Sequence, residues 1–392
     1  MIRNLIRQSV LALLFLVAVS AVMAQSKIYY VTPTGAAVDG GWTGTTTLTT
    51  ALNKAVAGDQ IWVQGFEAIT DYSQIYITPT TTGFTLKFGV QLYGGFKGGE
   101  TTIDARETLG KAYQMKYRSV LSGDITGNDT IDNTSLIFPA NMTRNDNATH
   151  VLSINMVPSS SGNNNNYPTI VNGFSIGGGQ ADGTNEYGGG IYISGDNTGG
   201  GIFRIERCFF VNNYAVQGGA IYVDAAVKNV NNGESLINQC VIYNNAAGER
   251  SAVVNAGGGI YLDGQATVVN SSIFNNENGG LRLSTNSQVV NSTVARNSGA
   301  GIDLVAAAGT GGFNVFNTII WGNTSLYAEI TPNFKNSAYH EVTADDANGN
   351  VYVTTENNGD ANAPMFDAPS LKTSFDRNFN WRQTAYPLWS WN

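Results

Sequence analysis

Charge is scarce in this chain. Its 392 residues hold 21 Lys and Arg, 29 Asp and Glu and 2 His, so only 13% is charged, against about 25% in an ordinary globular domain. Helical bundles and coiled coils draw on Glu, Lys, Ala and Leu, and this composition excludes them. A net charge of −8 offers no basic surface to phosphates, so no nucleic-acid partner is expected. Cysteine stops at two, Cys208 and Cys240, too few for a disulfide framework. Beyond the N-terminus no apolar run nears the roughly 18 residues that span a bilayer, so no transmembrane span is expected. The two histidines, His150 and His340, are not flanked by glycine.

Glycine, by contrast, is abundant at 46 residues, and Asn, Thr and Ser replace the missing charge. An apolar share of 42% allows a sizeable core and argues against wholesale disorder. The first residues read as an export signal. Arg3 and Arg7 precede an apolar run from Val10 to Val22, and Val22-Met23-Ala24 supplies short residues for cleavage. A signal peptide over residues 1–24 makes the protein an exported one, and its removal takes two Arg and no acid. In an exported chain Cys208 and Cys240 can pair or stay reduced.

The chain repeats. Ile205–Asn213 (IERCFFVNN), Ile237–Asn245 (INQCVIYNN), Val268–Asn276 (VNSSIFNN after Val268), Val289–Asn297 and Val315–Asn323 share one pattern. Val171–Gly179 fits it with Gly in the last place. A second motif follows most copies: Gly-Gly before Ile191, Leu281 and Ile260, Gly-Ala before Ile221 and Ala-Gly before Ile302. The shortest period, Asn276 to Asn297, is 21 residues. Short strands flanked by Gly or Asn at that period predict one turn of a parallel β-helix. Leucine-rich repeats need a helical half, and propeller blades need about 40 residues.

Side-chain parity supports the coil. Cys208 and Phe210 are two apart and share a strand face. Cys240/Ile242, Ser271/Ile273, Ser292/Val294 and Thr318/Ile320 repeat the pair, which predicts an inward column of small then bulky residues. Ile205 and its equivalents lie three positions before the small residue, so the chain must bend between them. The bend residues are Gly173, Arg207, Gln239, Asn270, Asn291 and Asn317; Gly and Asn tolerate the left-handed backbone a sharp bend requires. A second column, Asn213, Asn245, Asn276, Asn297 and Asn323, is expected to hydrogen-bond from rung to rung about 4.8 Å apart.

An open solenoid needs caps. Leu48, Ala51, Leu52, Ala55 and Val56 follow helical spacing and predict an amphipathic capping helix that Gly58 ends. Strand-like pieces follow at Ile61–Val63, Phe84–Leu86, Val90–Tyr93, Val120–Leu121 and Val151–Leu152, and Ser159–Asn166 reads as a loop. The expected organisation is a β-helix over 25–330, with its N-terminal cap at about 25–65, and a C-terminal cap or tail over 331–392.

These segments resemble exported proteins of the pectin-lyase-like superfamily, especially those common in Bacteroidota. Tyr30–Gly35, Ala57–Val63, Val90–Phe96 and Leu121–Asp124 are similar to that family's opening segments. Phe210–Asn213 with Gly218–Ile221 also resembles the paired motifs of chlamydial polymorphic outer-membrane proteins. The resemblance implies an all-β, right-handed, single-stranded parallel β-helix. It also implies a place outside the cell or on the outer-membrane surface of a Gram-negative bacterium. The fold hosts lyases, hydrolases, adhesins and passive surface proteins, so it does not by itself assign chemistry.

Pectin-type hydrolases of this fold carry paired Asp and a Gly-His-Gly segment, and the latter is missing. The best constellation is a column on the strand after the glycines. Tyr192, Tyr222 and Tyr261 each follow an inward Ile, so they point outward on successive coils and form a ladder for sugar rings. Asp224 and Asp263 come two residues after Tyr222 and Tyr261. Carboxylates about 5 Å apart repel, which favours a cation between them, with Ca2+ as the candidate. Calcium-assisted lyases of this fold add an Arg or Lys base, for which Arg282 and Lys228 are nearest. A weaker calcium loop runs from Asp124 to Asp132, with Asp129 where Gly is needed. The expected function is an exported surface β-helix that binds polysaccharide or cell-surface glycans, or mediates adhesion, without catalysis. The alternative is a polysaccharide lyase or glycoside hydrolase acting on acidic polysaccharide.

Overall fold

A computed structural model describes residues 26–36, 42–109, 114–129, 144–157, 167–183, 187–196, 201–229, 233–248, 256–284, 287–304, 314–324, 333–335, 337–339 and 351–352. The expected signal peptide, the Ser159–Asn166 loop, Asp132, His340 and everything past Tyr352 lie outside the described residues.

Within them the chain is a parallel β-helix of three long sheets. The first has ten strands, from Ile28–Val31 to Asn333–Lys335. The second also has ten, from Tyr76–Ile77 to Val351–Tyr352. The third has seven, from Phe84–Lys87 to Ile302–Leu304. A short fourth joins Gln180–Ala181, Tyr214–Ala215 and Ala246–Ala247. Three described strands beyond residue 330 continue the first and second sheets, so the coil runs past the last sequence repeat.

Inward columns build the core. On the first sheet Ile205, Ile237, Val268, Val289 and Val315 pair in register. Phe210, Ile242, Ile273, Val294 and Ile320 do so on the second sheet. Ile191, Ile221, Ile260, Leu281 and Ile302 do so on the third. All fifteen belong to one buried cluster. Each such side chain contributes about 1.5–3 kcal/mol on burial, so a rung with three of them stabilises its neighbours without needing charge.

The bends fall where parity placed them. Arg207, Gln239, Asn270, Asn291 and Asn317 have φ between 46° and 57°, and Gly173 has 84°. A second left-handed column was not anticipated: Asn212, Asn244, Asn275 and Arg296 have φ of 53° to 55°. The first residue of each closing pair therefore turns the chain, which aims the second one inward. Asn213, Asn245, Asn276, Asn297 and Asn323 then form a continuous amide ladder, with Nδ2 donating to the next Oδ1 at 2.9–3.0 Å. Each Oδ1 also accepts the backbone N–H of the rung before, at 2.9–3.1 Å.

The small column holds Cys208 and Cys240 as buried free thiols, followed by Ser271, Ser292 and Thr318, all buried. Burial pushes the Cys208 thiol up to about 12, which suits an inert packing role.

The corner before the third sheet explains the glycine runs. Gly218 takes φ of 66°, and a Cβ on Gly258 would sit 2.0 Å from the carbonyl oxygen of Glu277 on the next rung. Gly258→Ala is expected to cost about 1–3 kcal/mol through this overpacking, read as a lower urea midpoint. Gly183→Ala, where a Cβ meets nothing within 4 Å, is the control and should leave the midpoint nearly unchanged.

The capping helix spans Leu48–Lys54, with the Thr47 hydroxyl accepting from the Thr50 N–H. Leu48, Ala51, Leu52 and Ala55 join the core. Val56 corrects the helical pattern: it lies beyond the helix and is 59% exposed, because the backbone at Ala55 is already extended.

Candidate functional site

The third sheet positions the site. Inward Ile191 and Ile193 leave Tyr192 between them on the outer face, and in-register pairing repeats the placement on every coil. The outer column reads Ser153, Tyr192, Tyr222, Tyr261, Arg282 and Asp303. Ring centroids are 5.9 Å apart for Tyr192 and Tyr222, and 5.1 Å for Tyr222 and Tyr261. The Arg282 guanidinium lies 5.6 Å from the centre of the Tyr261 ring and 3.3 Å from the Asp303 carboxylate.

The ladder has two members that the sequence did not reveal. His150 stacks on Tyr192 at 5.0 Å, with its Nδ1 3.0 Å from the carbonyl oxygen of Gly188. Tyr187 stacks 4.6 Å from Tyr222 and 6.5 Å from Tyr192. It stands just before Gly188, whose φ of 61° folds the chain back, so residues five apart reach the same surface. Only a known corner geometry turns that spacing into a signal.

Depth separates the rungs. Tyr222 and Tyr261 are 5% and 7% exposed, Tyr192 is half-buried, and Tyr187 is 37% exposed. The ladder expected along three coils is therefore reachable at its Tyr187–Tyr192 end, with Tyr222 and Tyr261 stacked beneath as support. Burial raises the hydroxyl pKa of Tyr192, Tyr222 and Tyr261, and the nearby carboxylates Asp224 and Asp263 add to this for the first two. For Tyr261 the Arg282 charge opposes the rise. Burial lowers the pKa of His150, which favours its neutral ring.

Asp224 and Asp263 follow Val223 and Leu262, which pair in register. Each accepts from a tyrosine of the preceding coil: Tyr192 to Asp224 Oδ2 at 3.5 Å, and Tyr222 to Asp263 Oδ2 at 3.2 Å. The Asp224 Oδ1 also accepts the Ala226 N–H at 2.7 Å, closing a turn. The two acids thus serve different rungs. Of the two base candidates, Arg282 is buried against Tyr261 and Asp303, and Lys228 is exposed. Among the described residues no group of three or more His, Cys, Asp and Glu side chains is placed to hold a metal ion.

The Asp124 loop is put to a different use. The Asp124 carboxylate accepts the N–H groups of Gly127, Asn128 and Asp129. Asp129 pairs with Arg144 at 3.0 Å, and Asp146 accepts from Thr126. Among the described residues, both Asp124 carboxylate oxygens and one oxygen each of Asp129 and Asp146 are thus engaged by the chain itself.

No protein family and no curated protein matches the chain. Among solved structures it is similar to pectate lyase Pel9A, at 12% identity and a TM-score of 0.45, over 89% of this chain and 84% of that one. It is also similar to tailspike protein 3 of bacteriophage CBA120, at 16% identity and a TM-score of 0.20, over 81% of this chain and 58% of that one. No helix among the described residues is long and apolar enough to cross a membrane.

Proposed function

We propose that this protein is an exported β-helix that binds glycans on the open end of its tyrosine ladder and does not turn them over. The observation that carries the reading is the stacked Tyr187–Tyr192 pair, half-open to solvent and braced by Tyr222 behind it. A tyrosine ring offers a flat apolar face beside a polar edge, which matches a sugar ring with its C–H face and its hydroxyl rim. The brace holds the rings in place before binding, so little side-chain entropy is lost when a sugar docks. Asp224 is half-buried beside this end and supplies an acceptor for a sugar hydroxyl.

Turnover needs a general acid and base within reach of the scissile bond. At this end the His150 ring is buried against a carbonyl oxygen, and Asp263 is one rung away on Tyr222. Asp224 and Asp263 each already accept a tyrosine hydroxyl, and this engagement supports binding over catalysis.

A glycan array probed with the wild type and with Tyr187→Ala tests the reading. The expected result is defined saccharide binding that falls about tenfold in the variant, equal to about 1.4 kcal/mol, with an unchanged far-UV spectrum. Equal binding by both proteins overturns the site. Release of unsaturated or newly reducing ends from the bound glycan makes the protein a lyase or hydrolase instead.

A further inference from the structure

The geometry points to a saccharide class for this site: we infer that it selects an amino sugar carrying a free ammonium group and rejects uronates. This rests on the glycan reading above and adds a charge preference to it. Three features meet at the open end. The first is the aromatic pair: the exposed Tyr187 ring carries the negative part of its quadrupole on its face and attracts a cation lying over it, while Tyr192 is held between His150 and Tyr222. The second is Asp224. Its Oδ1 is taken by the Ala226 N–H at 2.7 Å, while among the described residues its Oδ2 accepts only the Tyr192 hydroxyl, at 3.5 Å, the outer limit of a hydrogen bond. That oxygen keeps acceptor capacity, and the residue is half-buried rather than sealed. The third is the placement of cations. Arg282 lies three rungs beyond Tyr192 in register order, after Tyr222 and Tyr261, and is buried on Asp303. The charged side chain hydrogen-bonded to Tyr192 is the Asp224 carboxylate.

An ammonium group docked between the Tyr187 face and Asp224 Oδ2 gains both a charge-assisted hydrogen bond and a cation–π contact. A uronate carboxylate in the same place meets a like charge, which costs free energy on either side of the contact. A neutral N-acetyl sugar falls between the two, because it stacks and hydrogen-bonds without the charge term.

Calorimetric titration of the whole protein with three probes tests this: a glucosamine oligomer, an N-acetylglucosamine oligomer and an oligogalacturonate, at a pH where the amine is protonated. The expected order of affinity follows that list, with about a tenfold preference for the free amine over the acetylated sugar. Asp224→Asn keeps an acceptor for the Ala226 N–H and turns an amide donor towards the Tyr192 hydroxyl oxygen, so the preference should shrink to near parity while stacking-driven binding persists. Raising the salt should narrow the wild-type preference in the same direction, a readout that does not depend on any variant folding. Equal binding of all three probes, or a preference for oligogalacturonate, overturns the charge selection and leaves the glycan reading standing. No binding of any saccharide overturns both.

Discussion

Asn245→Asp is expected to cost about 3–5 kcal/mol at neutral pH, although it changes one atom type. Asn245 is fully buried, and its Oδ1 accepts from the Asn213 N–H and Nδ2 at 3.1 and 3.0 Å. Its Nδ2 faces three acceptors: the carbonyl oxygens of Phe210 and Tyr243 and the Oδ1 of Asn276, at 3.2, 2.9 and 3.0 Å. A carboxylate oxygen there donates nothing and meets three oxygens in a dry interior, so the charged form is strongly disfavoured. The folded-state pKa of the introduced Asp is therefore raised above its unfolded value of about 3.9. The sign follows. The penalty is full above the folded pKa and shrinks as pH falls through it, because the protonated carboxyl again donates one hydrogen bond. Below the unfolded value the pH-dependent part is gone. Urea melts across the acid range should show the variant gaining on the wild type as pH drops. Asn245→Ala should lose stability without that slope, and equal slopes for both variants would contradict the ladder.

Arg144→Met carries the second large effect, also about 3–5 kcal/mol. Arg144 is 2% exposed, with its guanidinium shared among four acceptors on three segments of the chain. These are Gln180 Oε1, Asp129 Oδ2 and the carbonyl oxygens of Gly179 and Asn212, at 2.8–3.1 Å. Burial holds the Asp129 carboxyl above the ordinary carboxylate range, and Arg144 opposes that rise. Removing the arginine takes the countercharge from a partly buried carboxylate that keeps only the Asn147 amide on that oxygen, and one of two donors from each of the Gly179 and Asn212 carbonyls; breaking such a pair from one side is costly. Arg144→Met with Asp129→Asn should recover part of the loss, since the unpaired charge goes with it. A double variant no more stable than Arg144→Met would show that the pair itself matters little beside the carbonyl bonds.

The solenoid was legible because each coil restates the same instructions. Ile, Val and small residues at fixed parity, with Gly or Asn at the bends, specify three inward columns before any tertiary contact is known. The strand pairing bears this out from Val171 to Ile320. What a repeat cannot show is which neighbour takes the strain. In Asn212-Asn213 both residues are Asn, yet the first takes the left-handed backbone and the second joins the ladder. The tyrosine column was legible as a register but not as a depth. Tyr192, Tyr222 and Tyr261 occupy equivalent places, while burial comes from what lies outside the strand, and Tyr187 and His150 reach the column from corners. Arg144 was missed for the same reason. It belongs to no repeat, and its partners are 15 to 68 positions away along the chain.

The most direct measurement of the central claim is a crystal structure of the protein with a bound oligosaccharide. The expected result is an intact sugar ring lying against Tyr187 and Tyr192, with a polar group of the sugar within hydrogen-bond distance of Asp224 Oδ2, and with Tyr222 and Tyr261 still stacked beneath. A sugar seated on another face of the solenoid, or a cleaved sugar in this place, would contradict it.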